Sequence, residues 1–394
     1  MTNIAHFTFA RMPEIHFGAG KLSQLPQLIA ARGTRVLLVT GSSSFVKSSR
    51  YERLTRELEN AGIQLFQSTV SGEPSPEFVD AVAARFRADT IDCVVGIGGG
   101  SVLDAGKAIS AMLRQEGSVV PYLECVDTKK HDGKKTPYIA VPTSSGTGAE
   151  ATKNAVLSHI GANGYKSSLR HDNFVPDIAL VDPELTLSCP ADVTAACGLD
   201  ALTQLLEAYV SSKASPMTDA LALSGLEHIT AGFIAAFEKG SHDLAARSHM
   251  SYAALLSGIV LANAGLGVVH GFAGPLGGFF PIPHGVVCGT LIGAATRANI
   301  EALRGDAVKH RATLGKFARA GSVLSGQDAS TSEAGCELLM ETLDKWIATT
   351  HVARLSAYGI TPGDFPRILD KSNNKNSPVT LDRQQMQAIL QARL

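Results

Sequence analysis

Two histidines, His270 and His284, stand fourteen residues apart in a stretch from Ser251 to Thr296 that contains no Asp, Glu, Lys or Arg. An imidazole among apolar neighbours needs partners for both ring nitrogens, and either ordinary hydrogen bonds or a shared metal ion would supply them. Upstream, Val193, Ala196, Cys197, Leu202, Leu205, Leu206 and Tyr209 recur at roughly helical spacing after Pro190, which suits a first helical turn. Asp200 lies on that helix with Gln204 stacked on it at i+4 and Glu207 one turn further along. A carboxylate in so apolar a helix is costly unless something positive compensates it. Asp200, His270 and His284 together offer one carboxylate and two imidazoles, a donor set suited to Fe2+ or Zn2+.

A second group of residues suits a nucleotide. Gly98, Gly99, Gly100 and Ser101 lie where an apolar run gives way to a helical pattern, a place where a phosphate meets free backbone N–H groups and the positive end of a helix. A plain structural turn is the other reading of these glycines, and their order is not the Gly-x-Gly-x-x-Gly of a conventional Rossmann loop. Thr143, Ser144 and Thr147 form a second polar loop, able to bond ribose or adenine groups or simply to make a turn. Asp104, one turn into the helix after the glycines, either helps orient a bound cofactor or complements the helix N-terminus. Sites that prefer NAD commonly place an acidic residue at the adenosine 2′-hydroxyl. The first apolar run ends instead in Gly41, Ser42, Ser43 and Ser44, with Lys47 and Arg50 nearby, so NADP(H) is favoured over NAD(H).

These residues need elements to hold them. Apolar runs at 35–40, 91–97, 137–141 and 178–181 alternate with helical patterns, as in a parallel sheet under helical cover. From Pro190 onward the strand signals stop and long Ala/Leu-rich helices take over. The expected plan is an α/β dinucleotide-binding domain with a parallel sheet, residues 1–186, followed by an all-helical metal and substrate domain, residues 187–394. The charge-free segment Tyr252 to Val269 reads as one buried helix and not as a membrane span, because Ser257, Gly258, Asn263, Gly265 and Gly267 interrupt it. Residues 372–380 form a polar loop before a last short helix.

Composition narrows the partners. The 394 residues suffice for two sizeable cores, and 35 basic against 36 acidic side chains offer no footprint for nucleic acid or an anionic membrane. Six cysteines, at 93, 125, 189, 197, 288 and 336, form no Cys-x-x-Cys pair and fit reduced, mostly buried thiols. The first residues lack the basic-then-apolar order of a signal peptide, so the expected location is the cytoplasm.

The ordered set of segments resembles the iron-containing (group III) alcohol dehydrogenases over nearly the whole chain. Those segments are Gly98–Ser101, Pro142–Thr147 with Glu150, Pro176–Leu185, Asp200 with its i+4 partner, His270 seventy residues on, and Pro283-His284-Gly285. The resemblance implies a dehydroquinate-synthase-like fold with the active site between the two domains. It implies hydride transfer between a nicotinamide cofactor and an alcohol, aldehyde or ketone, with a divalent metal assisting. By the same resemblance Gly99, Gly100 and Ser101 hold the pyrophosphate, Thr143, Thr147, Asn154 and Lys166 line the cofactor cleft, and Lys166 lies near the nicotinamide ribose. Family members commonly associate through their N-terminal domains, so a homodimer is expected, with Glu14–Phe17 as a candidate exposed sheet edge.

Two positions depart from the family's pattern. Its metal is held by Asp, His, His and His, and Gln204 occupies the second place; a neutral amide oxygen is a poorer donor than imidazole for a borderline metal. Gly274, four residues after His270, stands where members often carry a further active-site histidine, which predicts a roomier pocket and proton exchange through water or the cofactor ribose. Phe279 and Phe280 either wall the substrate pocket or pack in the core. The competing functions are a maleylacetate-reductase-like or lyase reaction on the same fold, whose carboxylate substrates call for cations in the cleft, and nucleotide binding without turnover.

Overall fold

The computed structural model describes residues 6–394; residues 1–5, part of the segment read for a signal peptide, lie outside the described residues. Its first half alternates β1 (Glu14–Phe17), α1 (Leu25–Ala30), β2 (Arg35–Gly41), α2 (Ser49–Asn60), β3 (Gln64–Val70), α3 (Pro76–Phe86), β4 (Cys93–Gly98), α4 (Gly100–Met112) and β5 (Tyr138–Pro142), then β6 (Asn154–His159), β7 (Tyr165–Arg170) and β8 (Ile178–Val181). Six strands form one parallel sheet in the order β1-β8-β5-β4-β2-β3. The central strands are continuous apolar runs because both faces are covered. Val36, Leu38, Val95 and Ile139 pack into one core while Leu37, Val39, Val94 and Ala140 pack into the other, the alternation of a pleated strand.

Two elements were hidden in the sequence. Edge strand β3 reads Gln-Leu-Phe-Gln-Ser-Thr-Val, half polar, and so carries no apolar run. The antiparallel hairpin β6–β7, registered Asn154↔Arg170 to His159↔Tyr165, is polar along one face and lies outside the main sheet. That hairpin packs against α4 on one side and against the helical half on the other.

The second half is helical: α5 (Ala191–Val210), α6 (Pro216–Lys239), α7 (Leu244–Ala264), α8 (Val268–Phe279), α9 (His284–Arg304), α10 (Arg311–Ser325), α11 (Ser332–Thr349), α12 (Phe365–Lys371) and α13 (Arg383–Ala392). α5 is buried from Gly198 through Leu206 and packs against α6, α7 and α9. The single helix expected over residues 252–269 is two: α7 stops at Ala264 and α8 starts at Val268 after a turn of 101°. Glycines at 265 and 267 permit that corner, and it swings His270 toward α5. α6 is long and apolar enough to cross a bilayer by length and composition, and here it packs against α5, α7 and α10. The halves are stitched together by α7, whose Ser251 Oγ meets Ser145 Oγ at 3.1 Å and whose Ser257 hydroxyl lies 3.2 Å from the Gly146 carbonyl.

Candidate active site

A cleft of about 390 Å³ opens between the two halves. Gly100, Ser101, Asp104, Thr147, Asn154 and Lys166 line it from the α/β side, and Gln204, His270, Gly274 and His284 from the helical side. The other residues singled out for a nucleotide stand at neighbouring strand ends, outside this lining. Gly41 closes β2 and Ser42 follows it; Thr40 of the same strand pairs with Ile97 of β4. Thr143 donates its N–H to the Gly98 carbonyl at 2.9 Å. The two polar loops touch: a Cβ on Gly99 would sit 3.2 Å from Ser144 Oγ, and one on Gly100 would sit 2.8 Å from Thr147. A side chain at Gly100 would force Thr147 to move, and one at Gly99 would crowd Ser144. α4 starts at Gly100 with no side-chain cap on its first N–H groups, which leaves the positive helix end available to an anion such as a pyrophosphate.

Behind this loop lies a buried ionic group. Lys107, absent from the sequence expectations and 1% exposed, donates to the Ala149 carbonyl (2.8 Å), Thr152 Oγ1 (3.0 Å) and the Asn154 carbonyl (2.7 Å). It thereby pins the segment that carries Asn154 to α4. Asp104 accepts the Val156 N–H at 3.1 Å and lies 3.7 Å from Lys107 Nζ. Burial pushes the Asp104 carboxyl up to about 6 and pulls Lys107 down to about 8, each partly offset by the other's charge. Three further cations face the cleft, each with an acidic partner: Lys166 with Glu73 (2.9 Å), Lys153 with Asp172 (2.6 Å) and Arg170 with Glu124 (3.1 Å).

On the helical side, α5, α8 and α9 bring Asp200, His270 and His284 together. Asp200 is 1% exposed, and its Oδ1 lies 3.5 Å from His270 Nε2 and 3.7 Å from His284 Nε2 with no hydrogen-bond partner. Glu207 reaches across from α5: one oxygen accepts the Val269 N–H at 2.8 Å and the other bonds His270 Nδ1 at 2.7 Å. When the ring carries one proton and Glu207 holds it at Nδ1, the Nε2 lone pair faces Asp200, the arrangement by which a carboxylate orients a metal-binding imidazole. Cys288, one turn after His284 on α9, completes a group whose donor atoms all lie within 4.8 Å of one another. Gln204, 2% exposed, instead directs its amide oxygen to the Ser257 hydroxyl at 3.2 Å.

The charges of this group are unbalanced in one direction. Burial works to raise Asp200, yet the His284 and His270 imidazoles outweigh it and hold the carboxyl at about 2. Burial works to lower His270, yet Cys288, Asp200 and Glu207 raise it well above the ordinary imidazole value, while burial brings His284 down to about 4. An orphaned carboxylate oxygen beside an imidazole driven to hold an extra proton marks a buried site that calls for positive charge. A divalent ion fits these donors in charge and chemistry.

Phe279 and Phe280 do not line the cleft; both rings lie against the Arg367 guanidinium, at 5.0 and 4.9 Å. Gly274 does line it, and a Cβ there would meet nothing within 4 Å. The space predicted from the missing histidine is therefore real.

Comparison with known proteins agrees with this arrangement. Residues 13–183 match the family model for iron-containing alcohol dehydrogenase, and residues 194–394 match that for the C-terminal part of the same family. The chain is 39% identical over 274 residues to long-chain-alcohol dehydrogenase 1 of Geobacillus thermodenitrificans, covering 69% of this chain and 68% of that protein. It is 34% identical over 284 residues to an NADPH-dependent butanol dehydrogenase of Clostridium saccharobutylicum, covering 71% and 70%. A crystal structure of 1,3-propanediol oxidoreductase superposes with a TM-score of 0.88 at 29% identity, over 99% of this chain and all of the other. The chain belongs to the iron-containing alcohol dehydrogenase family, nicotinamide-dependent oxidoreductases of alcohols and aldehydes.

Proposed function

We propose that this chain is a metal-assisted, NADP(H)-preferring alcohol dehydrogenase, with residues 1–186 holding the dinucleotide and residues 187–394 the metal and substrate. One observation carries the reading: an uncapped glycine-rich helix start and a buried Asp-His-His group face each other across a single cleft. Asp200, His270 and His284 would hold the ion, with Gln204 beside them, and Gly99, Gly100, Ser101, Thr143, Ser144, Thr147, Asn154 and Lys166 would hold the nucleotide. The ion, Fe2+ or Zn2+, supplies Lewis-acid polarisation of an alcohol or carbonyl oxygen, and the nicotinamide supplies the hydride acceptor or donor. Glu207 keeps the proton on His270 Nδ1, and Asp104 with Lys107 fixes the loop at the nicotinamide end. Leu261, Ala262, Leu266 and Ala273 give the cleft an apolar wall against the hydrocarbon part of a substrate. The reading includes work as a homodimer in the cytoplasm, in keeping with six unbridged cysteines.

The test is elemental analysis of the purified protein, paired with turnover of alcohols and aldehydes before and after chelation. His270→Ala and His284→Ala should each remove bound metal and lower kcat/KM by about 1000-fold, the worth of a Lewis acid of several kcal/mol, while nucleotide affinity is kept. Full turnover in protein free of Fe, Zn, Mn and Co refutes the reading. Cofactor choice has its own test. A carboxylate at the end of β2 would repel a 2′-phosphate, so Gly41→Asp should lower kcat/KM with NADP(H) relative to NAD(H) by about tenfold. Equal losses with both cofactors would count against this placement.

A further inference from the structure

Cys288 has no part in the ligand set argued so far, yet its Sγ lies 3.6 Å from His270 Nε2 and 3.8 Å from His284 Nε2. We propose that Cys288, and not Gln204, is the fourth protein ligand of the metal, bound as a thiolate in an Asp-His-His-Cys centre. The proposal rests on the metal-assisted reading above and makes it more specific.

The donor spacing supports it. Four donors placed about 2.0–2.3 Å from a common centre at the corners of a tetrahedron are about 3.3–3.8 Å apart, and a substrate oxygen would then enter as a fifth ligand. Asp200 Oδ1 to His270 and to His284 measures 3.5 and 3.7 Å, and Cys288 Sγ to the same two nitrogens measures 3.6 and 3.8 Å. Asp200 Oδ1 and His284 Nδ1 are both buried without a hydrogen bond, and of the two it is the Asp200 oxygen that faces the other donors of the group. Other buried cysteines behave as ordinary core thiols: Cys93 faces the Val94 carbonyl at 3.5 Å and Cys336 the Leu314 carbonyl at 3.6 Å. Cys288 faces ring nitrogens of two ligands. Gln204 directs its amide oxygen toward Ser257 of α7, 3.2 Å away. The fourth donor has moved from one turn past Asp200 on α5 to one turn past His284 on α9, the same i+4 step on a different helix.

Binding exchanges one bond for another without redox change: the S–H proton leaves to water as the metal–sulfur bond forms. Carboxylate plus thiolate balance the two positive charges of the ion, and the soft sulfur favours Zn2+ or Fe2+ over Mn2+ or Mg2+.

The probe is Co2+, added to chelator-treated full-length protein and followed by absorption. Wild type should show a near-ultraviolet sulfur-to-cobalt charge-transfer band that saturates at one ion per chain. Gln204→Ala should keep the band. Cys288→Ala and Cys288→Ser should lose it while still binding Co2+ at least about tenfold more weakly, and Cys197→Ala should leave it unchanged. The wild-type spectrum is decisive even where a variant folds poorly. Stoichiometric Co2+ binding without a charge-transfer band, or a band that survives Cys288→Ala, overturns the thiolate ligand and leaves the metal-assisted reading standing. No binding of Co2+ or Zn2+ by wild type overturns both.

Discussion

Glu207 commits both carboxylate oxygens to α8, one to the Val269 N–H and one to His270 Nδ1, while it stands on the same helix as Asp200. A glutamine can serve both only by donating its NH2 to His270 Nδ1 while its oxygen accepts the Val269 N–H, which moves the ring proton to Nε2 and removes the lone pair a metal needs. Glu207→Gln should therefore weaken metal binding about 10–100-fold with the four donors intact, as outer partners of metal-bound histidines generally do. Competition titration against a chelating dye measures this, and unchanged affinity would show that His270 needs no such partner. Asp200, His270 and His284 were legible in the sequence because charge and imidazole stand out against apolar surroundings. Glu207 was visible on the Asp200 face, but its work depends on the α7–α8 corner, which no local pattern announces. Cys288 was harder still. Without a second cysteine nearby it reads as a core thiol, and its i+4 step from His284 acquires meaning only once α5 and α8 are placed beside it.

α8 shows how a helix combines a packed face with an empty one. A Cβ on Gly271 would lie 1.6 Å from the Asn373 carbonyl oxygen, whereas one on Gly274 would touch nothing. Gly271→Ala forces backbone apart and should destabilise the protein by about 3 kcal/mol. Gly274→Ala removes a poor helix former at no steric cost and should stabilise it by up to ~1 kcal/mol. Thermal unfolding of the two variants should move in opposite directions; a loss with Gly274→Ala would mean that the space in the cleft is already filled by something the protein needs. At this scale the buried strands β2, β4, β5 and β8 were legible because apolar runs bounded by glycine and polar loops have few other uses. β3 and the β6–β7 hairpin were not, since an edge strand and a two-stranded flap keep polar residues for solvent and for the cleft. The charge-free stretch from 252 to 269 hid its corner because the glycines that break it are also tolerated inside a buried helix.

The whole molecule is two differently built bodies that share one cleft, and its sheet has two edge strands, β1 and β3. β1 pairs with β8 along one edge only, and Ile15 on it, with Met12 and Phe7 just before it, is exposed at 37%, 43% and 47%. An open parallel edge flanked by exposed apolar side chains is a ready pairing surface. Light scattering at micromolar concentration should return the mass of two 41.3 kDa chains, and Ile15→Lys should shift it toward one. A wild-type mass of one chain would defeat the dimer. The same strand also sets a clock. β1 begins at Glu14, and the strand it pairs with, β8, begins at Ile178, about 160 residues later. At a synthesis rate of about 5–20 residues per second, β1 waits about 8–30 s on the ribosome before its neighbour exists. The two pairings of β8, with β1 and with β5, are thus the last strand pairs of the sheet that can form, after β2, β3, β4 and β5 have been able to meet.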